Sequence, residues 1–79
     1  MEIHIEFCIK WNYGPEFDRV SKEIKELQPD AYIEGNKNNP RTGSFEIIID
    51  GKLVYSKFKT HAFPSKAEIK ELITWLNLY

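Results

Sequence analysis

The stretch SFEIIIDGKLVYSKF, residues 44–58, constrains the fold more than any other part of the chain. Two runs rich in β-branched and aromatic residues meet at Asp50-Gly51, a dipeptide that accepts the positive φ angles of a two-residue hairpin turn at little cost. The spacing predicts an antiparallel hairpin of SFEIIID and KLVYSKF, so the chain is not all-helical. A hairpin alone is marginal in water and needs further strands or a helix against its apolar face.

The remaining sequence supplies that cover. Ile3, Ile5 and Phe7 alternate with His4, Glu6 and Cys8, the period of a strand over residues 2–7 with one buried and one more polar face. From Pro15 the period lengthens, and Phe17, Val20, Ile24 and Leu27 fall on one helical stripe. Pro15 suits a first turn, Glu16 and Asp18 complement the positive end of the helix dipole, and Pro29 enforces a stop. AYIEG, residues 31–35, reads as a short strand, and NKNNPRTG, residues 36–43, as a loop. A capping box from Ser65 to Glu68 then opens a last helix with Ile69, Leu72, Ile73 and Leu76 at helical spacing, running nearly to the C-terminus.

The order β-α-β-β-β-α predicts an α+β two-layer sandwich: one four-stranded mixed sheet with two helices on the same face. The first crossover is expected to be right-handed with strands one and two parallel, and the first strand to lie between two neighbours. Ile3, Ile5, Phe7, Val20, Ile24, Leu27, Phe45, Ile47, Ile49, Ile69, Leu72, Ile73 and Leu76 are the expected core, while His4, Glu6, Tyr32 and Glu34 look outward. A slip of one residue in the third strand would instead bury Glu46 and Ile48. Residues 1–79 are expected to form a single domain, because so short a chain cannot support two cores.

Charge and composition exclude several functions. Eleven basic against twelve acidic residues give a net charge of −1, so no overall positive field gathers nucleic-acid phosphates. MEIHIEF is not a signal peptide, and no apolar run nears the ~18 residues of a membrane span; a cytoplasmic, non-membrane protein is expected. One cysteine builds neither an internal disulfide nor a cysteine-based zinc site, and His4 and His61 show no metal spacing.

Two blocks carry a family resemblance: EFCIKWNYGPEF, residues 6–17, and RTGSFEIIIDGKLVYSK, residues 41–57, followed by FPSKAEIKELI. With them the chain resembles the Rdx family of thioredoxin-like proteins, the group of selenoproteins W, T and H, from about Ile3 to Leu76. The resemblance implies a thioredoxin-like fold and a role in thiol redox homeostasis. It places Cys8 on the family's first redox cysteine, Tyr13 on the following aromatic and Pro15 on the proline that opens the helix. Trp11 stands where the family has its second cysteine or selenocysteine, and Glu16 replaces a residue that is often basic.

A Cys-x-x-Cys pair works because one thiolate attacks a target disulfide and the second resolves the mixed disulfide. CIKW has no resolving thiol, which leaves monothiol chemistry: a sulfenate, or a mixed disulfide with glutathione or a partner protein. Cys8 is then the candidate nucleophile, Lys10 the nearby positive charge, and Trp11 and Tyr13 the contact surface. Arg41, with Lys37 and the backbone of NNPRTG, is a candidate cradle for an anion such as the carboxylate of a glutathione-like ligand. No resident cofactor is expected. The alternative is a non-catalytic interaction module using the Cys8 to Pro15 loop, with Cys8 structural and His4 merely solvated. A retained redox thiol belongs on the exposed loop surface, whereas an inert strand-end thiol belongs in the interior.

Overall fold

In chain order the elements are β1 (Glu2–Phe7), α1 (Gly14–Leu27), β2 (Tyr32–Gly35), β3 (Phe45–Ile49), β4 (Lys52–Ser56), α2 (Lys57–Thr60) and α3 (Lys66–Asn77). The computed structural model describes residues 1–77. The hairpin turns where its dipeptide allows, with φ of 49° at Asp50 and 82° at Gly51. The turn is tied back to β1, since Glu2 N donates to Asp50 Oδ1 and Asp50 N to Glu2 O, both at 2.8 Å.

The sheet runs β2-β1-β3-β4, with β1 parallel to β2 and antiparallel to β3. Ile3 faces Ile49, Ile5 faces Ile47 and Phe7 faces Phe45, so the expected register holds and one face of three strands is aliphatic and aromatic. Both long helices cover that face: Val20 and Ile24 of α1 join Ile69 and Ile73 of α3 over Ile3, Ile5, Phe45, Ile47 and Ile49. Arg19 Nη2 donates to Pro64 O at 2.6 Å and fastens α1 to the segment that leads into α3. The capping box closes in both directions, Ser65 N to Glu68 Oε1 at 2.9 Å and Glu68 N to Ser65 Oγ at 3.1 Å.

Three expectations need correction. Leu27 is exposed rather than core: α1 ends on it, the chain turns at Gln28, and buried Ala31 fills that end of the interior instead. The fourth strand stops at Ser56, because Lys57 and Phe58 enter the one-turn helix α2. There Lys57 N donates to Glu46 Oε2 at 2.8 Å and Thr60 Oγ1 to Ser56 O at 3.1 Å, bonds that a continuing strand would not offer. Glu46 is buried although the register did not slip. Its carboxylate takes hydrogen bonds from Ser56 Oγ at 2.5 Å and from Lys57 N, so the outer face is covered locally by polar partners.

A bulge between Ile47 and Ile48 pairs them with Tyr55 and Leu53, leaving Val54 as the extra residue. The bulge sets Tyr55 opposite Ile47 and buries it in the core, where its hydroxyl donates to Ala62 O at 2.6 Å, while Val54 packs partly buried against the same core. Among the described residues no helix is long and apolar enough to cross a membrane.

Candidate functional site

Cys8 follows the last residue of β1, and its backbone prolongs the pairing with β3, N to Ser44 O at 2.9 Å. The chain then folds back at once. Asn12 N donates to Ile9 O at 2.9 Å and Tyr13 N to Cys8 O at 3.0 Å, with Asn12 in the left-handed region at φ 58°, a conformation asparagine tolerates better than most residues. The reversal brings the Trp11 amide over the sulfur, N to Sγ 3.4 Å. Cys8 itself is only 1% exposed, while Ile9, Lys10 and Trp11 after it are exposed. Of the two placements expected, Cys8 takes the interior one of a strand-end thiol and not the exposed loop surface of a retained redox thiol: the turn carries the surface and the thiol lies behind it.

An aromatic frame holds this turn. Tyr13 packs edge-on against Phe63 at 4.7 Å between ring centroids, and Phe63 in turn against Phe45 at 5.3 Å. Trp11 lies 6.2 Å from Tyr13 and spreads its indole over Gly43. Gly43 has φ 79°, and a Cβ there would stand 2.8 Å from Trp11 Cζ3; both the backbone and the ring require glycine. The two loops of the site, 8–13 and 41–44, are thus fitted to each other.

The sequence pattern of the Rdx family matches residues 2–74. The chain belongs to the Rdx family. It is 32% identical over 73 residues to Migration and invasion enhancer 1 of Mus musculus, and equally to that of Bos taurus, covering 92% of this chain and 62% of each relative. The chain thus spans under two thirds of the length of those curated relatives. Its fold is similar to that of a selenoprotein W-related protein from Vibrio cholerae, with a TM-score of 0.81 at 23% identity over 95% of this chain and 94% of the other. A Bordetella parapertussis protein superposes with a TM-score of 0.79 at 18% identity, over 92% of each chain. The α+β two-layer sandwich is thereby established as a thioredoxin-like fold.

Within this Rdx fold, the residues singled out from the sequence are not equally placed. Cys8, Lys10, Trp11 and Tyr13 share one turn, and Lys57 joins them with Nζ 5.4 Å from the centres of both the Tyr13 and Phe63 rings. Arg41 borders the turn through Ser44, whose N donates to Arg41 O at 3.1 Å. Its charge, however, is engaged. Arg41 Nη2 and N donate to the Glu6 carboxylate at 2.8 and 2.7 Å, and its guanidinium lies 4.9 Å over the Phe58 ring. Lys37 is likewise paired, 3.0 Å from Glu34, whose carboxylate also faces His4 Nδ1 at 3.4 Å. Lys37 stays protonated to higher pH through its hydrogen bond with Glu34, and the Lys37 contact, ahead of His4, holds Glu34 below the usual carboxylate range.

Sequence reasoning missed Gly43, Ser44, Glu46 and Phe63 as parts of this end of the molecule. All four lie in the blocks that carry the family resemblance, but nothing in the sequence places them beside Cys8.

The Arg41 guanidinium also holds the Glu6 carboxyl below its ordinary range, against a smaller opposing effect of burial. A lowered folded value means a contribution that is complete above the unfolded carboxylate pKa of about 4.3 and is lost as pH falls through the folded one. Arg41 is largely exposed, so screening limits the pair to at most about 1 kcal/mol. Arg41→Ala should therefore lower the urea midpoint at pH 7 slightly and flatten its decline below pH 4, measured by far-UV circular dichroism. An unchanged acid slope would show that the pair contributes nothing.

Proposed function

We propose that this chain acts in thiol redox homeostasis as a monothiol member of the Rdx family, with Cys8 as its reactive group. The observation that carries this reading is the Trp11 N–H aimed at Cys8 Sγ. A backbone donor on sulfur offsets negative charge when the sulfur is a thiolate, the nucleophilic form, and a core cysteine that only fills space needs no such donor. In the reaction the Cys8 thiolate attacks one sulfur of a disulfide such as oxidised glutathione. The new S–S bond forms as the old one breaks, and the other half leaves as a thiolate. A thiol from outside the chain must reverse the step, because position 11 holds an indole.

The burial of Cys8 beneath exposed Ile9 and Trp11 favours a second reading, a protein-interaction module whose thiol is structural. Quantitative thiol labelling distinguishes the two. Under native conditions Cys8 should form one mixed disulfide with oxidised glutathione, slowly because the turn must open, at a rate that does not follow global unfolding as denaturant is raised. If labelling appears only in step with global unfolding, the redox reading fails and the interaction module replaces it.

A further inference from the structure

The end of the molecule around Cys8 brings exposed apolar and basic side chains together. Ile9, Trp11 and Phe58 are 62%, 54% and 42% exposed. Trp11 and Phe58 are bridged by the 41–43 loop: Trp11 covers Gly43, and Arg41, two residues earlier, stacks on Phe58. Lys10 stands between Ile9 and Trp11, and Lys57 and Lys59 flank Phe58 in sequence. Among the described residues none of these three lysines has an ion-pair partner. Of the nearby acids, Glu6 is ion-paired with Arg41 and Glu16 with Arg19, while Glu46 is buried under Ser56 and Lys57 N. A chain of net charge −1 therefore presents a local positive excess around exposed indole, phenyl and aliphatic groups.

We propose that this surface docks an acidic segment of a partner protein that carries an apolar side chain among its carboxylates. The apolar residue lies against Trp11, Ile9 and Phe58, and the carboxylates answer Lys10, Lys57 and Lys59. Complementary charge steers such encounters and aligns them, while the aromatic groups supply the contact area. A polyphosphate partner is disfavoured, because it has no apolar group to cover the exposed Ile9, Trp11 and Phe58 side chains. The docking goes beyond the thiol reading and does not need the sulfur.

The experiment titrates the amide-labelled protein with an unstructured peptide of Asp, Glu and Leu, and in parallel with the same peptide carrying Lys in place of every acid. Saturable amide shifts are expected at Ile9, Lys10, Trp11, Lys57 and Phe58 with the acidic peptide alone, weakening as salt screens the charges. Lys10→Glu with Lys59→Glu should raise the dissociation constant at least tenfold, about 1.4 kcal/mol, with spectral dispersion preserved. Lys22→Glu on the wet face of α1 should bind as the parent does. Cys8→Ser should also bind normally, which separates failure of docking from failure of the thiol reading. Absence of saturable shifts, equal binding of the lysine peptide, tighter occupation of the patch by a single-stranded oligonucleotide, or self-association through it would each overturn the proposal.

Discussion

Phe45→Ala is expected to remove most of the stability of this protein. Phe45 is fully buried, sits opposite Phe7 at the end of the β1-β3 ladder and meets Phe63 edge to face. Truncation there removes the ring from the point where the sheet, the Cys8 turn and the entry to α3 converge, and deleting a buried Phe costs about 3 to 5 kcal/mol in transfer and cavity terms. A chain of this length has roughly 5 to 10 kcal/mol in all. With a urea slope near 1 kcal/mol/M for a small domain, the midpoint should fall by about 3 to 5 M. Lys22→Ala, on the exposed face of α1, should stay within ~0.5 kcal/mol of the parent. A Phe45→Ala midpoint as close to the parent as that of Lys22→Ala would contradict the core described here.

Trp11→Cys is expected to create a disulfide that closes within one chain. Positions 8 and 11 are already drawn together by the turn, with the amide of residue 11 at 3.4 Å from Cys8 Sγ. The backbone of residue 11 is therefore close to Cys8 Sγ, and a rotation of the new cysteine side chain at position 11 away from Gly43 should bring the two sulfurs together, since a disulfide spans Cα atoms roughly 4.4 to 6.8 Å apart. Mild oxidation should remove both free thiols and two hydrogens from the mass of the monomer, with no covalent dimer on a non-reducing gel. Dimers or two persistent free thiols would mean that the turn does not hold the geometry a resolving thiol needs. Formation of the bond would mean that residue identity alone, and not backbone shape, separates this chain from the dithiol members of its family.

The fold was largely legible because its signals are local. Asp50-Gly51 names its own turn, the Ser65 to Glu68 box its own cap, and the alternation of Ile3, Ile5 and Phe7 its own buried face. Leu27 misled because a helical stripe says which side faces inward but not where the core ends along the axis. The β4 bulge and α2 were invisible for the opposite reason: KLVYSKF keeps strand propensity throughout, and only the Glu46 carboxylate across the ladder captures Lys57 N and ends the strand.

The site divides in the same way. From the sequence alone came the single thiol, the indole at position 11 that forbids an internal dithiol cycle, and the residues of one short turn, all matters of chemical identity that need no coordinates. Tertiary structure decided that Cys8 lies behind its own turn, that Arg41 and Lys37 spend their charge on Glu6 and Glu34, and that Gly43 makes room for Trp11. Burial, charge pairing and close approach depend on residues distant in the chain, and those distances are set only when the sheet brings residues 8 and 44 side by side.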